Sequence, residues 1–301
     1  MPDPVIEILR AGDTGKPNPF TICIVANPVL EAPWKSERFV VDAMPTNPAL
    51  FSQRCQYVVD CLFGRLAGQA EKLLADPLIA PYVRIVSLLA DGLPAEDANA
   101  LAAEDGTSSL LIPRRTRFLP FLVRYGLTAD IAYVISQSAE HNRASAFFTT
   151  DNDASPGIAF TLDGPTLTHR FHCLIPGTIA IHATSSSLTA LHEFGHALSS
   201  YTNGGIVDLY VDSPVDFNNL RGRPVPGAFR TYNGVAYQSD PVRDGLSYPP
   251  GWQSYHCELN APAFPAVMDD YFLSGTVPEA CEQDKITRQF LRDRLIAKIG
   301  R

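Results

Sequence analysis

At 301 residues, with 46% hydrophobic and 19% charged residues, the chain is long enough to bury a large core and too apolar for wholesale disorder. Its net charge of −8 argues against nucleic acid and anionic membrane surfaces, which would need a basic face. No apolar run approaches the roughly 20 residues of a membrane-spanning helix, and Met1-Pro2-Asp3-Pro4 lacks the basic and apolar parts of a secretory leader, so a cytoplasmic location is the expectation.

Residues 20–26 (FTICIVA) form a β-branched apolar run bounded by prolines and predict a buried strand. Over 47–75 the spacing turns helical, with Leu50, Val58, Leu62, Leu66, Leu73 and Leu74 recurring at a period near 3.6. Pro48 suits the first turn of that helix, and Asp76-Pro77 stops it. Residues 82–90 and 129–136 read as further buried strands, and 91–108, rich in Asp, Ala and Gly, as a surface excursion. Asp163-Gly164 between 157–162 and 166–173 is a hairpin signal. Residues 177–183 (GTIAIHA) make one more strand, Thr184-Ser185-Ser186-Ser187 offers N-caps, and a helix follows over 188–201, closed by Asn203-Gly204-Gly205.

Strands alternating with helices up to residue 201 predict an α/β layer built on a mixed twisted sheet. Beyond it prolines and glycines become dense until a last helix over 284–299. The expected organisation is one domain, 1–301. It comprises an α/β subdomain over 1–203, ending in the helix after residue 187, and an irregular C-terminal subdomain over 204–301. The six cysteines, Cys23, Cys55, Cys61, Cys173, Cys257 and Cys281, contain no C-x-x-C pair; buried thiols are the expectation, with disulfides open.

The chemistry lies in His192-Glu193-Phe194-Gly195-His196. Residues four apart share a helix face, so His192 and His196 can hold one metal ion through two imidazoles. Glu193 points to the flank, where a carboxylate can take a proton from an activated water. Leu188, Leu191 and Leu198 are placed to bury the other side of the helix, and Gly195 suggests close packing against the sheet.

With its preceding strand, the segment Ala190-Leu191-His192-Glu193-Phe194-Gly195-His196-Ala197-Leu198 resembles the active-site helix of the zincin metallopeptidases over about thirty residues. The resemblance implies an α+β zincin-like fold and a Zn²⁺ cofactor on His192 and His196. It also implies Glu193 as general base, and a peptide or protein substrate whose backbone pairs with a strand before the helix. The alternative is an inactive relative that keeps fold and metal without turnover.

A catalytic zinc needs a third protein ligand and an open position. The short metzincin continuation is not met, since Ser199 and Thr202 occupy its positions. Asp208, in Asp208-Leu209-Tyr210 after the glycine turn, is the first candidate and is similar to the Asp-x-Tyr element of the bacterial immunoglobulin-A-peptidase-like branch. Glu258 and Asp212 remain open beside it. Met268, within 264–271, looks like the Met-turn of metzincin-type enzymes or is an ordinary buried Met. Tyr210, Tyr255 and Tyr271 are candidates to hydrogen-bond a tetrahedral intermediate. His169, His172 and His182 are discounted as ligands, and His256 is kept only as a candidate substrate contact. There is no serine-hydrolase elbow, and the Gly12-Asp13-Thr14-Gly15-Lys16 run has the wrong spacing for a phosphate loop.

Overall fold

The computed structural model describes residues 3–16, 19–66, 73–147, 158–161, 166–169, 176–186, 188–198, 231–232, 235–236, 267 and 285–299. Within them the chain is mixed α/β, with two mixed sheets and four α-helices. No helix among the described residues is long and apolar enough to cross a membrane.

The larger sheet holds β1 (Val5–Arg10), β5 (Val83–Leu89), β2 (Phe20–Ala26), β8 (Ile131–Ser136), β12 (Gly177–His182) and β9 (Ser145–Phe147), in that spatial order. Its four central strands run parallel, and β1 and β9 are antiparallel edges. The apolar runs at 20–26, 82–90, 129–136 and 177–183 are these parallel strands. They read as unbroken hydrophobic stretches because both sheet faces are covered.

Alternation then sorts the side chains. Ile22, Ile24, Ile131, Tyr133, Ile179 and Ile181 face the helices α1 (Pro48–Leu62), α3 (Thr189–Leu198) and α4 (Lys285–Ile299). Cys23, Val25, Ala132, Val134 and Ala180 face the opposite way. There they pack on α2 (Arg115–Arg124) and on the smaller sheet, ordered β4 (Phe39–Val41), β3 (Val29–Glu31), β6 (Ala100–Glu104), β7 (Leu111–Pro113).

Several expectations are corrected. The helix expected over 47–75 ends at Leu62, and among the described residues after it a separate 3-10 turn lies at Leu73–Ala75. Asn47 caps its start by accepting from the Leu50 N–H, and Pro48 opens it as expected. Its end is a Schellman closure: Gly64 takes φ +64°, its N–H donates to Cys61 O, and the Arg65 N–H donates to Asp60 O. The apolar period runs past this point because Leu73 and Leu74 return to the same core from a separate turn.

The supposed surface excursion at 91–108 contains β6, whose Ala100, Leu101, Ala102 and Ala103 are fully buried. Small residues read as loop but are what the tight contact beneath α2 admits. The hairpin signal at 163–164 is matched by antiparallel pairing of β10 (Ile158–Thr161) with β11 (Thr166–His169). In the C-terminal part the described elements are the short pair β13 (Thr231–Tyr232) and β14 (Val235–Ala236), and α4. Cys23, Cys55 and Cys61 are buried thiols outside any disulfide, and burial pushes Cys23 up to about 12, so it stays protonated. Cys173, Cys257 and Cys281 lie outside the described residues.

Candidate metal centre

The strand-to-helix passage that carries the motif is built locally. After β12, Ser185 N–H donates to His182 O and the His182 N–H donates to Ser185 Oγ, making a tight turn. The Ser186 and Thr189 hydroxyls meet at 2.9 Å as α3 begins. The helix then runs back over β12, and Leu188, Leu191, Phe194, Ala197 and Leu198 are all fully buried in the core. Phe194 meets Phe20 edge-on, with ring centroids 6.5 Å apart.

Two further contacts fix α3. The Tyr133 hydroxyl, from the sheet, donates to Ala190 O at 2.7 Å. Burial, with Cys61 and Glu193 nearby, holds that hydroxyl well above its usual range, so it remains a donor. At the far end, Arg294 of α4 donates through Nε to Leu198 O at 2.8 Å, satisfying a carbonyl of the last turn. Across the interface, Gly177 is the glycine that lets α3 lie close to the sheet. A Cβ there would meet Ala197 O, and would stand 2.6 Å from Ile131 Cδ1 and 2.9 Å from Ala197 C.

On this helix His192 and Glu193 are each 6% exposed and His196 is half-buried. The Nε2 atoms of His192 and His196 stand 3.2 Å apart. His192 Nδ1 lies 2.7 Å from Val267 O, so this nitrogen carries the proton and Nε2 presents its lone pair. Two nitrogens on a tetrahedral zinc, each about 2.0–2.1 Å from the ion, are about 3.4 Å apart. The pair of imidazoles thus fits a shared zinc in donor type, in separation and in the hydrogen bond that orients His192.

Asp208, Glu258 and Asp212 lie outside the described residues, as do Met268, His172, His256, Tyr210, Tyr255, Tyr271, Ser199 and Thr202. Val267, next to Met268, is fully buried against the core and supplies the carbonyl to His192. Of the discounted histidines, His169 belongs to β11. His182 at the end of β12 bonds Ser138 O through Nε2 (3.0 Å), while its Nδ1 accepts from the Thr184 N–H (3.0 Å). Burial lowers its pKa below 6.5, the backbone bond to Ser138 and the charge of Asp42 opposing and that of Arg54 assisting. A small cavity at these strand ends is lined by Arg54, Tyr57, His182, Ser185 and Ser186.

No sequence motif announces a second cluster, Glu104, Glu140 and His141, whose ligand atoms lie within 4.8 Å of one another. Its members come from the end of β6 and from the turn after β8, so only the meeting of the two sheets brings them together. Compared with known proteins, the chain matches no family model, no curated protein and no solved structure.

Proposed function

We propose that this chain is a zinc-dependent metallopeptidase of zincin type, with His192 and His196 as metal ligands and Glu193 as general base. The observation that carries the reading is the 3.2 Å approach of the two Nε2 atoms on a buried helix, with His192 Nδ1 held by a backbone carbonyl. Zinc bound there supplies a water acidified toward a pKa of about 7 and a Lewis acid for the substrate carbonyl.

The remaining work falls to the chain's own groups. The Glu193 carboxylate, on the flank of the histidine face, takes the proton of the attacking water and delivers it to the leaving amine nitrogen. Its burial excludes bulk water from that transfer. The third ligand is proposed to be Asp208, with Glu258 and Asp212 as competitors. The antiparallel edge strand β9 lies beside β12 and under α3. Residues 109–111 bridge to Arg143 just before β9, and Ser145 Oγ bonds Leu111 O. Beyond that bridge β9 ends the sheet among the described residues, and an extended peptide is proposed to add there by backbone hydrogen bonds.

The test is metal analysis combined with Glu193→Gln. The expected result is zinc in both proteins, hydrolysis of a broad peptide library by the wild type, and its loss in the variant. Zinc in a wild type that cleaves no peptide would support an inactive metal-binding relative instead. A wild type that takes up no transition metal would overturn both.

A further inference from the structure

We propose that Glu104, Glu140 and His141 form a second divalent-metal site, separate from the histidine pair on α3, that ties the smaller sheet to the carboxyl-terminal edge of the larger one. The donor set is mixed, two carboxylates and an imidazole, and the imidazole is already arranged for ligation. His141 Nε2 donates to Asp105 O at 2.7 Å, which leaves Nδ1 as the lone-pair nitrogen. That Nδ1 is buried, has no hydrogen-bond partner, and faces Glu104 Oε2 at 3.7 Å, beyond hydrogen-bonding reach. A buried imidazole nitrogen turned toward a carboxylate is stabilised either by a proton on the ring or by a cation held between the two groups.

Among the described residues neither Glu104 nor Glu140 meets a Lys or Arg, so a bound ion or a proton on His141 is what balances Glu104. The other Glu104 oxygen is held by the Ser138 hydroxyl at 2.6 Å, so the carboxylate is fixed with Oε2 turned to the imidazole. Ser138 Oγ also accepts from the backbone N–H groups of Glu140 and His141, presenting both side chains from one turn. Glu140 is exposed, and a carboxylate oxygen of it already lies within 4.8 Å of the ligand atoms of Glu104 and His141.

One nitrogen and two carboxylate groups suit zinc or manganese, whereas calcium favours an all-oxygen shell. The consequence is mechanical. Glu104 ends β6 in the four-stranded sheet, while Glu140 and His141 follow β8 in the six-stranded one, so a bound ion staples the two layers.

Metal-stripped full-length protein is titrated with zinc and, separately, manganese, reading stoichiometry by calorimetry and Tm by thermal melts. His141→Ala and Glu140→Gln are each expected to lose one bound equivalent, and with it part of the metal-induced rise in Tm. Glu140→Gln alters an exposed group, so its result stands even where His141→Ala folds poorly. His192→Ala is expected to lose a different equivalent and to keep the one at His141. If both His141→Ala and Glu140→Gln bind as much metal as the wild type with the same rise in Tm, the second site is overturned, whatever His192→Ala shows. If His192→Ala alone keeps full stoichiometry, it is the zinc centre on α3 that fails.

Discussion

The carbonyl oxygen of Val267 lies 2.7 Å from Nδ1 of His192, across 75 residues of sequence. This contact sets the imidazole tautomer and aims Nε2 at the space it shares with His196, so the orientation of one proposed ligand depends on a backbone group from the C-terminal part. Removing either imidazole should therefore act first on the metal site. His192→Ala and His196→Ala are each expected to lose tight zinc binding while keeping the wild-type far-ultraviolet circular dichroism. Zinc content after dialysis is the measurement, and unchanged content in both variants would contradict the assignment. Glu193→Gln, by contrast, should retain zinc and lower kcat by about 10²–10⁴-fold, the usual range for a general base.

Gly177 determines how close α3 can lie to the sheet. A methyl group there collides with the Ala197 carbonyl and stands 2.6 Å from Ile131 Cδ1, and backbone cannot step aside as a flexible side chain would. Gly177→Ala is expected to destabilise the protein by about 1–3 kcal/mol, the range for overpacking. It should also reduce activity by shifting the helix that carries His192 and His196. Urea unfolding at neutral pH, with the peptidase assay alongside, checks both, and an unchanged midpoint would show that the contact yields.

Asp42 is a buried carboxylate that organises the ends of the parallel strands. It accepts from Asn27 Nδ2 and Ser136 Oγ through one oxygen, and from the Met44 and Gln137 N–H groups through the other. Asp42→Ala orphans four donors, each costing roughly 1–3 kcal/mol when left buried and unpaired, so a loss of about 3 kcal/mol or more is expected. Chemical denaturation would show it as a lower midpoint at similar slope.

His182 gives a pH dependence with a definite sign. Its pKa is lowered by burial, and its Nδ1 accepts the Thr184 N–H, an arrangement that protonation breaks. The folded state therefore favours the neutral ring. The stability this contributes is present above the unfolded pKa of 6.5 and is lost as pH falls through that value toward the lower folded one. The wild type is expected to lose more stability than His182→Asn between roughly pH 8 and pH 5, the interval in which histidine titrates. Equal losses in the two proteins would refute it.

Sequence alone determined the elements whose identity is a local matter. Buried parallel strands announce themselves as unbroken apolar runs, so Phe20–Ala26 appears with its observed bounds, and Asn47-Pro48 marks the start of α1. The spacing of His192, Glu193 and His196 likewise needs only the helical repeat to place two imidazoles together. Where the chain must choose between equally plausible local readings, it was silent or misleading. Alanine-rich 100–103 reads as loop until packing beneath α2 makes it a core strand, and the helical period past Leu62 continues although Gly64 ends the helix. Only tertiary structure decided that Gly177 must have no side chain, that Val267 orients His192, and that Glu104 meets His141. Those relations join residues 20 to 75 positions apart. A periodicity reports which face of an element is apolar, but not which distant backbone atom that face will meet.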